Sequence, residues 1–280
     1  MHWERVVQAG FGDPQNHDLA FITAFSGKLI AATCTRGPIF GAPSGFGSGV
    51  EVWESATGDP GTWVQVNLDG FGEEAYIPSV GKKVRINQDI GAFAIYKGAL
   101  YVGTMAHFGA QVWRYQGGGA AGWTEVTPPW GGPGLLASDP KLRMLRANAM
   151  AVFDGYLYLG EGFPSGNLSR YDGNTWIKVA AGPHPFDPQN RGINSLAVAG
   201  GHLFAAAIHE PGYSGPAPGH QVWADPSFTL TECLLQLAPG GPGHEPEPQP
   251  IPPPASSPRS RNSGSIPPSS TRCSPITSSR

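Results

Sequence analysis

Charge is scarce in this chain. Asp, Glu, Lys and Arg make up 14 % of its 280 residues, against roughly 25 % in an average soluble protein. The 18 Lys and Arg are outnumbered by 21 Asp and Glu, for a formal net charge of −3, and no basic cluster interrupts the repetitive part of the sequence. A surface built to displace counterions from nucleic acid or from an anionic membrane is therefore not expected. Cysteine is scarce too. Cys34, Cys233 and Cys273 are far apart and odd in number, so neither a disulfide framework nor a Cys-x-x-Cys metal site can be assembled, and the redox compartment stays open. No apolar run is long enough for a membrane-spanning helix, and Met1 to Phe11 lacks the apolar stretch of a secretory leader. The expectation is a soluble monomer without cofactor, cytoplasmic by default and extracellular should the N-terminus be truncated. Glycine, by contrast, is abundant: its 40 residues are about twice the usual share. That is the profile of a turn-rich β protein.

Helical periodicity is absent as well, and a much longer period takes its place. Trp3, Trp63 and Trp123 are 60 residues apart and Trp176 follows after 53; Val6, Val66, Val126 and Val179 stand three residues beyond them. A second series places a turn glycine between two apolar strands: Phe25-x-Gly27-x-Leu29, Tyr96-x-Gly98-x-Leu100, Phe153-x-Gly155-x-Leu157 and Ala199-x-Gly201-x-Leu203. These read as tight hairpins. A third series runs Glu51-Val52-Trp53, Gln111-Val112-Trp113 and Gln221-Val222-Trp223, with Ser169-Arg170-Tyr171 as its degenerate copy. Even the loops echo one another, in Gly10-Phe11-Gly12 and Gly70-Phe71-Gly72 and in the tetrapeptide Asp-Pro-Gln-Asn at 13–16 and 187–190.

Each unit therefore holds four short strands, here named inner, second, third and outer. They are expected at 19–25, 28–33, 49–54 and 62–66; at 90–96, 99–104, 110–115 and 123–126; at 148–153, 156–161, 167–171 and 175–179; and at 193–199, 202–207 and 219–224. A four-stranded blade that is apolar on both faces cannot bury them alone, so neighbours must stack. The fold expected is an all-β propeller of four-stranded antiparallel blades, with about four blades present.

Two hairpins carry a family resemblance. Thr57-Gly58-Asp59-Pro60-Gly61-Thr62-Trp63 and Ser169-Arg170-Tyr171-Asp172-Gly173-Asn174-Thr175-Trp176 resemble the Asp-box of bacterial-neuraminidase repeats. The resemblance implies an Asp that accepts backbone amides in the turn and a Trp buried between blades. The Phe-x-Gly-x-Leu-Tyr hairpins resemble kelch-like propellers equally well. The second unit departs from the box, with Gly117-Gly118-Gly119 and no Asp. An Asp-box is structural and speaks for fold, not for activity.

The chain begins on what reads as an outer strand, Trp3 to Val7. Either this strand pairs with 219–224 and closes a four-bladed ring, or the chain is a fragment of a larger ring with Phe228 to Leu235 as the fourth outer strand. The propeller is assigned to 1–237, with blades near 19–66, 90–126, 148–179 and 193–235, and 238–280 is read as a disordered Pro/Ser-rich tail.

The long loops all emerge on one face, so a ligand is expected there or in the channel mouth. Asn16, Asn87 and Asn190 stand eleven residues before the hairpin glycine, and Asp18, Asp89 and Arg146 nine before it. All six are candidate rim residues, although Asn and Asp at a strand start also commonly satisfy loop amides. Glu161 replaces Thr33, Thr104 and Ala207 at the end of a second strand and is the one weak catalytic candidate. His107 and His209 lie in loops on that face, without metal spacing. Gly117 to Gly122 mimics a dinucleotide loop but joins two strands, and Asn167-Leu168-Ser169 is a glycosylation sequon. The function expected is a non-catalytic propeller that binds a protein or carbohydrate on the long-loop face. The alternative is a sialidase-like glycoside hydrolase or lyase acting at the channel mouth, for which Arg36, Arg85, Arg146 and Arg191 lie on the proper face without a motif. Whether the chain is an enzyme stays open at this stage. Removing the residues after Leu237 should leave the melting temperature unchanged, which thermal unfolding of the shortened chain would check.

Overall fold

The structure, a computed structural model, describes residues 3–35, 47–77, 81–106, 109–130, 144, 146–162, 166–180, 186, 190–208 and 221–225. The first sheet is a meander of β1 (Asp18–Phe25), β2 (Lys28–Cys34), β3 (Val52–Ser55) and β4 (Val64–Gln65). A separate two-stranded hairpin follows, β5 (Glu74–Ile77) with β6 (Lys82–Arg85). The second sheet holds β7 (Asp89–Tyr96), β8 (Ala99–Met105), β9 (Val112–Tyr115) and β10 (Trp123–Glu125), and the third β11 (Ala147–Phe153), β12 (Tyr156–Glu161), β13 (Leu168–Tyr171) and β14 (Trp176–Ala180). The fourth has three strands among the described residues: β15 (Gly192–Ala199), β16 (His202–Ile208) and β17 (Gln221–Ala224). All pairings are antiparallel, and β1, β7, β11 and β15 touch one another in succession. This is the propeller arrangement, with the inner strands around an axis.

Local chemistry explains the regularity. The turns Ser26-Gly27, Lys97-Gly98, Asp154-Gly155 and Gly200-Gly201 all have positive φ at both positions, the geometry whose twist matches that of the flanking strands. In the third unit the Asp172 carboxylate accepts the amides of Asn174 and Thr175, each at 2.7 Å, and Trp176 is buried. In the first unit Ser55 Oγ does this work, accepting the Gly58 amide at 2.8 Å, while Asp59 contributes its main-chain carbonyl to Thr62.

Three apolar clusters lie between consecutive sheets. The first joins Phe21, Phe25, Ile30, Val50, Val52 and Val66 to Ile90, Leu100, Val102, Trp113 and Tyr115. The second joins Tyr96, Tyr101 and Val112 to Leu157, Leu159 and Trp176; the third is small, centred on Ala149, Ile193 and Ala205. The first two interfaces also carry a directional bond from an outer tryptophan. Trp123 Nε1 donates to the Val66 carbonyl at 2.7 Å, and Trp176 Nε1 to the Val126 carbonyl at 2.6 Å. The Gly-Phe-Gly turns add an aromatic plug. Phe11 stacks on Trp53 with ring centroids 4.9 Å apart, and Phe71 on Trp113 at 4.7 Å. Both phenylalanines hold positive φ, a conformation costly for a bulky residue that the ring stacking offsets.

Three expectations require correction. Trp3 to Val7 form no strand, and Trp3 is 86 % exposed; the burial that pairing with β17 would bring is missing, and no ring closure is observed among the described residues. The degenerate copy of the third series is Asn167-Leu168-Ser169, two residues earlier than expected, because Leu159 pairs with Ser169 as Ala31 pairs with Trp53. The β5–β6 hairpin was not anticipated. It is tied by an Arg85–Glu74 ion pair of 3.0 Å. The strand expected at Phe228 to Leu235 and the tail lie outside the described residues.

The indole bond between blades can be tested directly. Trp176→Phe keeps most of the buried ring but orphans the Val126 carbonyl, and it should cost about 1–3 kcal/mol in denaturant unfolding. Trp3→Phe, at an exposed position, should cost less than about 0.5 kcal/mol.

Candidate functional site

Every inner strand carries a β-bulge at the same place. The register shifts between Leu19 and Phe21, Ile90 and Ala92, Ala147 and Ala149, and Ile193 and Ser195. The extra residues are Ala20, Gly91, Asn148 and Asn194, each seven before its hairpin glycine. A bulge adds one residue on one strand and so re-aims side chains without disturbing the pairing beyond it. Here the four bulges line one axial cavity of about 220 Å³. Part of its wall is the stacked pair Phe21 and Phe93, with centroids 4.2 Å apart and planes at 19°. Another part is polar, made by Asn148, Asn194 and Ser195. Asn194 and Ser195 are exposed and Asn148 is half-buried.

The inner strands begin beside this cavity, and their first residues link neighbouring blades. Asp18 pairs with Cys34 across the first hairpin, and Asp89 opens the next inner strand. The Cys34 thiol is hydrogen-bonded to the Asp89 side chain; burial, and then the Asp89 charge, push it well above the usual thiol range and keep it protonated. Arg146 bridges to Met105 of the preceding blade, and its carbonyl accepts the Gly162 amide at 2.8 Å. Asp18 is exposed, Asp89 buried and Arg146 half-buried.

The three candidate asparagines are buried. Asn16 Nδ2 donates to the Gly10 carbonyl at 2.9 Å and to Glu51 at 2.7 Å, and Asn87 Nδ2 to the Gly70 carbonyl and to Gln111. Asn16 and Asn87 thus each clasp a Gly-Phe-Gly turn to the start of a third strand. The third blade rearranges the same chemistry. Met144 takes the asparagine's place, its carbonyl accepting the Ala110 amide at 2.8 Å as the Asn87 carbonyl accepts that of Val50 at 2.9 Å. The amide moves to Asn167 and the carboxylate to Glu161, which is fully buried. Glu161 accepts bonds from Trp130 Nε1 at 2.6 Å, Asn167 Nδ2 at 2.8 Å and Ser169 Oγ at 3.4 Å. These bonds tie the Glu161 side chain into the interior of the blade, and Asn167 is buried in the same network.

None of the described candidates, Asn16, Asp18, Asn87, Asp89, Arg146, Glu161 or Asn190, lines the axial cavity. His107 and His209 lie outside the described residues, as does Arg36. The cavity residues Asn148, Asn194 and Ser195 were missed, because strict alternation assigns faces by a period of two and a bulge breaks that count. The constant offset to the hairpin glycine was the available signal. Among the described residues no group of three or more His, Cys, Asp or Glu could hold a metal ion.

The sequence matches no known family profile and no curated protein. Solved structures similar to the chain include a glycoside hydrolase, at 14 % identity and a TM-score of 0.42, covering 74 % of this chain and 44 % of its own. An α-L-arabinofuranosidase of Clostridium thermocellum is 10 % identical with a TM-score of 0.38, covering 72 % of this chain and 66 % of its own. A protein of unknown function from Dyadobacter fermentans is 16 % identical with a TM-score of 0.39, covering 74 % and 65 %. The chain thus spans less than two thirds of the length of each of these.

The clasp has a pH signature. Burial pushes the Glu51 carboxyl above the ordinary glutamate range, against the hydrogen bonds from Asn16 and Trp53, which lower it. A raised carboxyl pKa contributes stability that is fully present below the unfolded value and is lost as pH rises through the folded value. Glu51→Gln, which reproduces the Gln111 arrangement, removes that loss. It should raise stability near neutral pH by on the order of 1 kcal/mol, with a gap that shrinks as pH falls toward the ordinary value of 4.5. Melting curves across this pH range check it, and a gap that widens on acidification contradicts the assignment.

Proposed function

We propose that this chain is a carbohydrate-binding propeller whose site is the axial cavity at the long-loop end of its inner strands. The observation that carries the reading is the cavity's mixed wall. A sugar ring presents an apolar C–H face and an edge of hydroxyls; the Phe21–Phe93 stack matches the first, and the amides of Asn148 and Asn194 with the Ser195 hydroxyl match the second. The volume of about 220 Å³ suits one small polar molecule and not a protein surface. Net charge near neutrality is consistent with a neutral ligand.

A second reading, glycoside hydrolysis at the same mouth, draws on Asp18 and Asp89. They occupy equivalent positions at the start of adjacent inner strands, one exposed and one buried, and such hydrolysis commonly needs two carboxyl groups in different environments.

Calorimetric titration with xylose, arabinose, glucose and galactose tests binding. At least one should bind with saturable heat, and Asn194→Ala, an exposed change, should weaken it about threefold to tenfold. No binding by any of them to the folded protein removes the reading. Release of nitrophenol from a panel of nitrophenyl glycosides tests hydrolysis: activity that survives Asp18→Asn and Asp89→Asn would assign those carboxylates no part in it.

A further inference from the structure

Equivalent positions in successive sheets differ sharply in exposure, and the differences fall at the two ends of the row. Val52, Val112 and Val222 stand at the same register of their third strands, opposite Ala32, Gly103 and Ala206. The first two are fully buried by the following sheet, whereas Val222 is 66 % exposed. At the other face, Leu19, Ile90, Ala147 and Ile193 share one register, opposite Thr33, Thr104, Glu161 and Ala207. Ile90, Ala147 and Ile193 are covered by the preceding sheet, but Leu19 is 50 % exposed. Ile22 is 55 % exposed, while its counterparts Phe93, Met150 and Leu196 pack into the three clusters. Further out on the same sheet, the indoles of Trp53 and Trp63 border a cavity of about 480 Å³ with Phe11 and residues 5–8. In the next interface the corresponding Trp113 shares a cluster with Val50, Val52 and Val66.

Among the described residues, the surfaces exposed at Val222 and at Leu19 and Ile22 are thus the two halves of an interface that the chain already builds three times within itself. One half, bearing Val222, has the form that fits a following blade; the other, bearing Leu19 and Ile22, has the form that fits a preceding one. We propose that these faces are an interaction surface for a second copy of this chain, the fourth sheet of one copy seating on the first sheet of the next. Exposed apolar surface of this kind marks association. A contact between two different faces is heterologous, so it leaves one free half at each end and continues beyond a dimer.

Sedimentation velocity on the full chain over a hundredfold concentration range tests it, with circular dichroism to confirm folding. Wild type should grow with concentration past the dimer. Ile22→Asp spoils the first sheet and Val222→Asp the fourth, both at exposed positions, and each variant alone should stay monomeric. Mixed in equal amounts they should form dimers and stop there, because each retains one intact and complementary face. Wild type that is monomeric throughout, single variants that assemble like wild type, or a mixture that stays monomeric would each overturn the proposal. Should either variant lose its β signal, Leu19→Lys replaces Ile22→Asp and Val222→Lys replaces Val222→Asp in the same scheme.

Discussion

The structure depends on one recurring constraint: a four-stranded blade has two apolar faces and can bury neither by itself. Everything regular in the chain follows from satisfying it. Valine and leucine fill much of the first two interfaces, and in each an outer tryptophan locks the rim by donating its indole N–H to the carbonyl of the preceding valine, Trp123 to Val66 and Trp176 to Val126. The bond is directional where the apolar packing is not, so it sets how neighbouring blades align while burial supplies most of the stabilisation. Small residues finish the fit. A Cβ on Gly103 would lie 2.6 Å from that of Ala147, and one on Gly160 2.6 Å from Ile193, which is why inner strands can cross so close to their neighbours.

The polar groups caught in these interfaces obey a second rule, that buried polar atoms be paired. Asn16 with Glu51 and Asn87 with Gln111 are two spellings of one clasp, and Glu161 with Asn167 is a third in which the acceptor and the amide have moved to other strands. The carboxylate at 51 and that at 161 each take an indole N–H as well, from Trp53 and Trp130. The axial cavity differs in kind. Its polar residues, Asn194 and Ser195 above all, face open space, and their position comes from the bulge and not from any packing role.

What the sequence by itself determined is the part of the fold set by local and repeated chemistry. Hairpin glycines, the Trp-x-x-Val strands and alternating apolar runs located nearly every strand in the described residues, since positive φ at a two-residue turn and two-sided burial leave direct marks on residue choice. Only the tertiary structure decided the rest. A bulge shifts the face of Asn148 and Asn194 by one residue with no signature in composition, and the bonds that Glu161 accepts from Trp130 and Asn167 join it to residues outside its own strand. Trp3 carries the same motif as its three counterparts yet stands exposed, because a tryptophan is buried by the sheet that comes to lie beside it, and that neighbour is a property of the assembled fold.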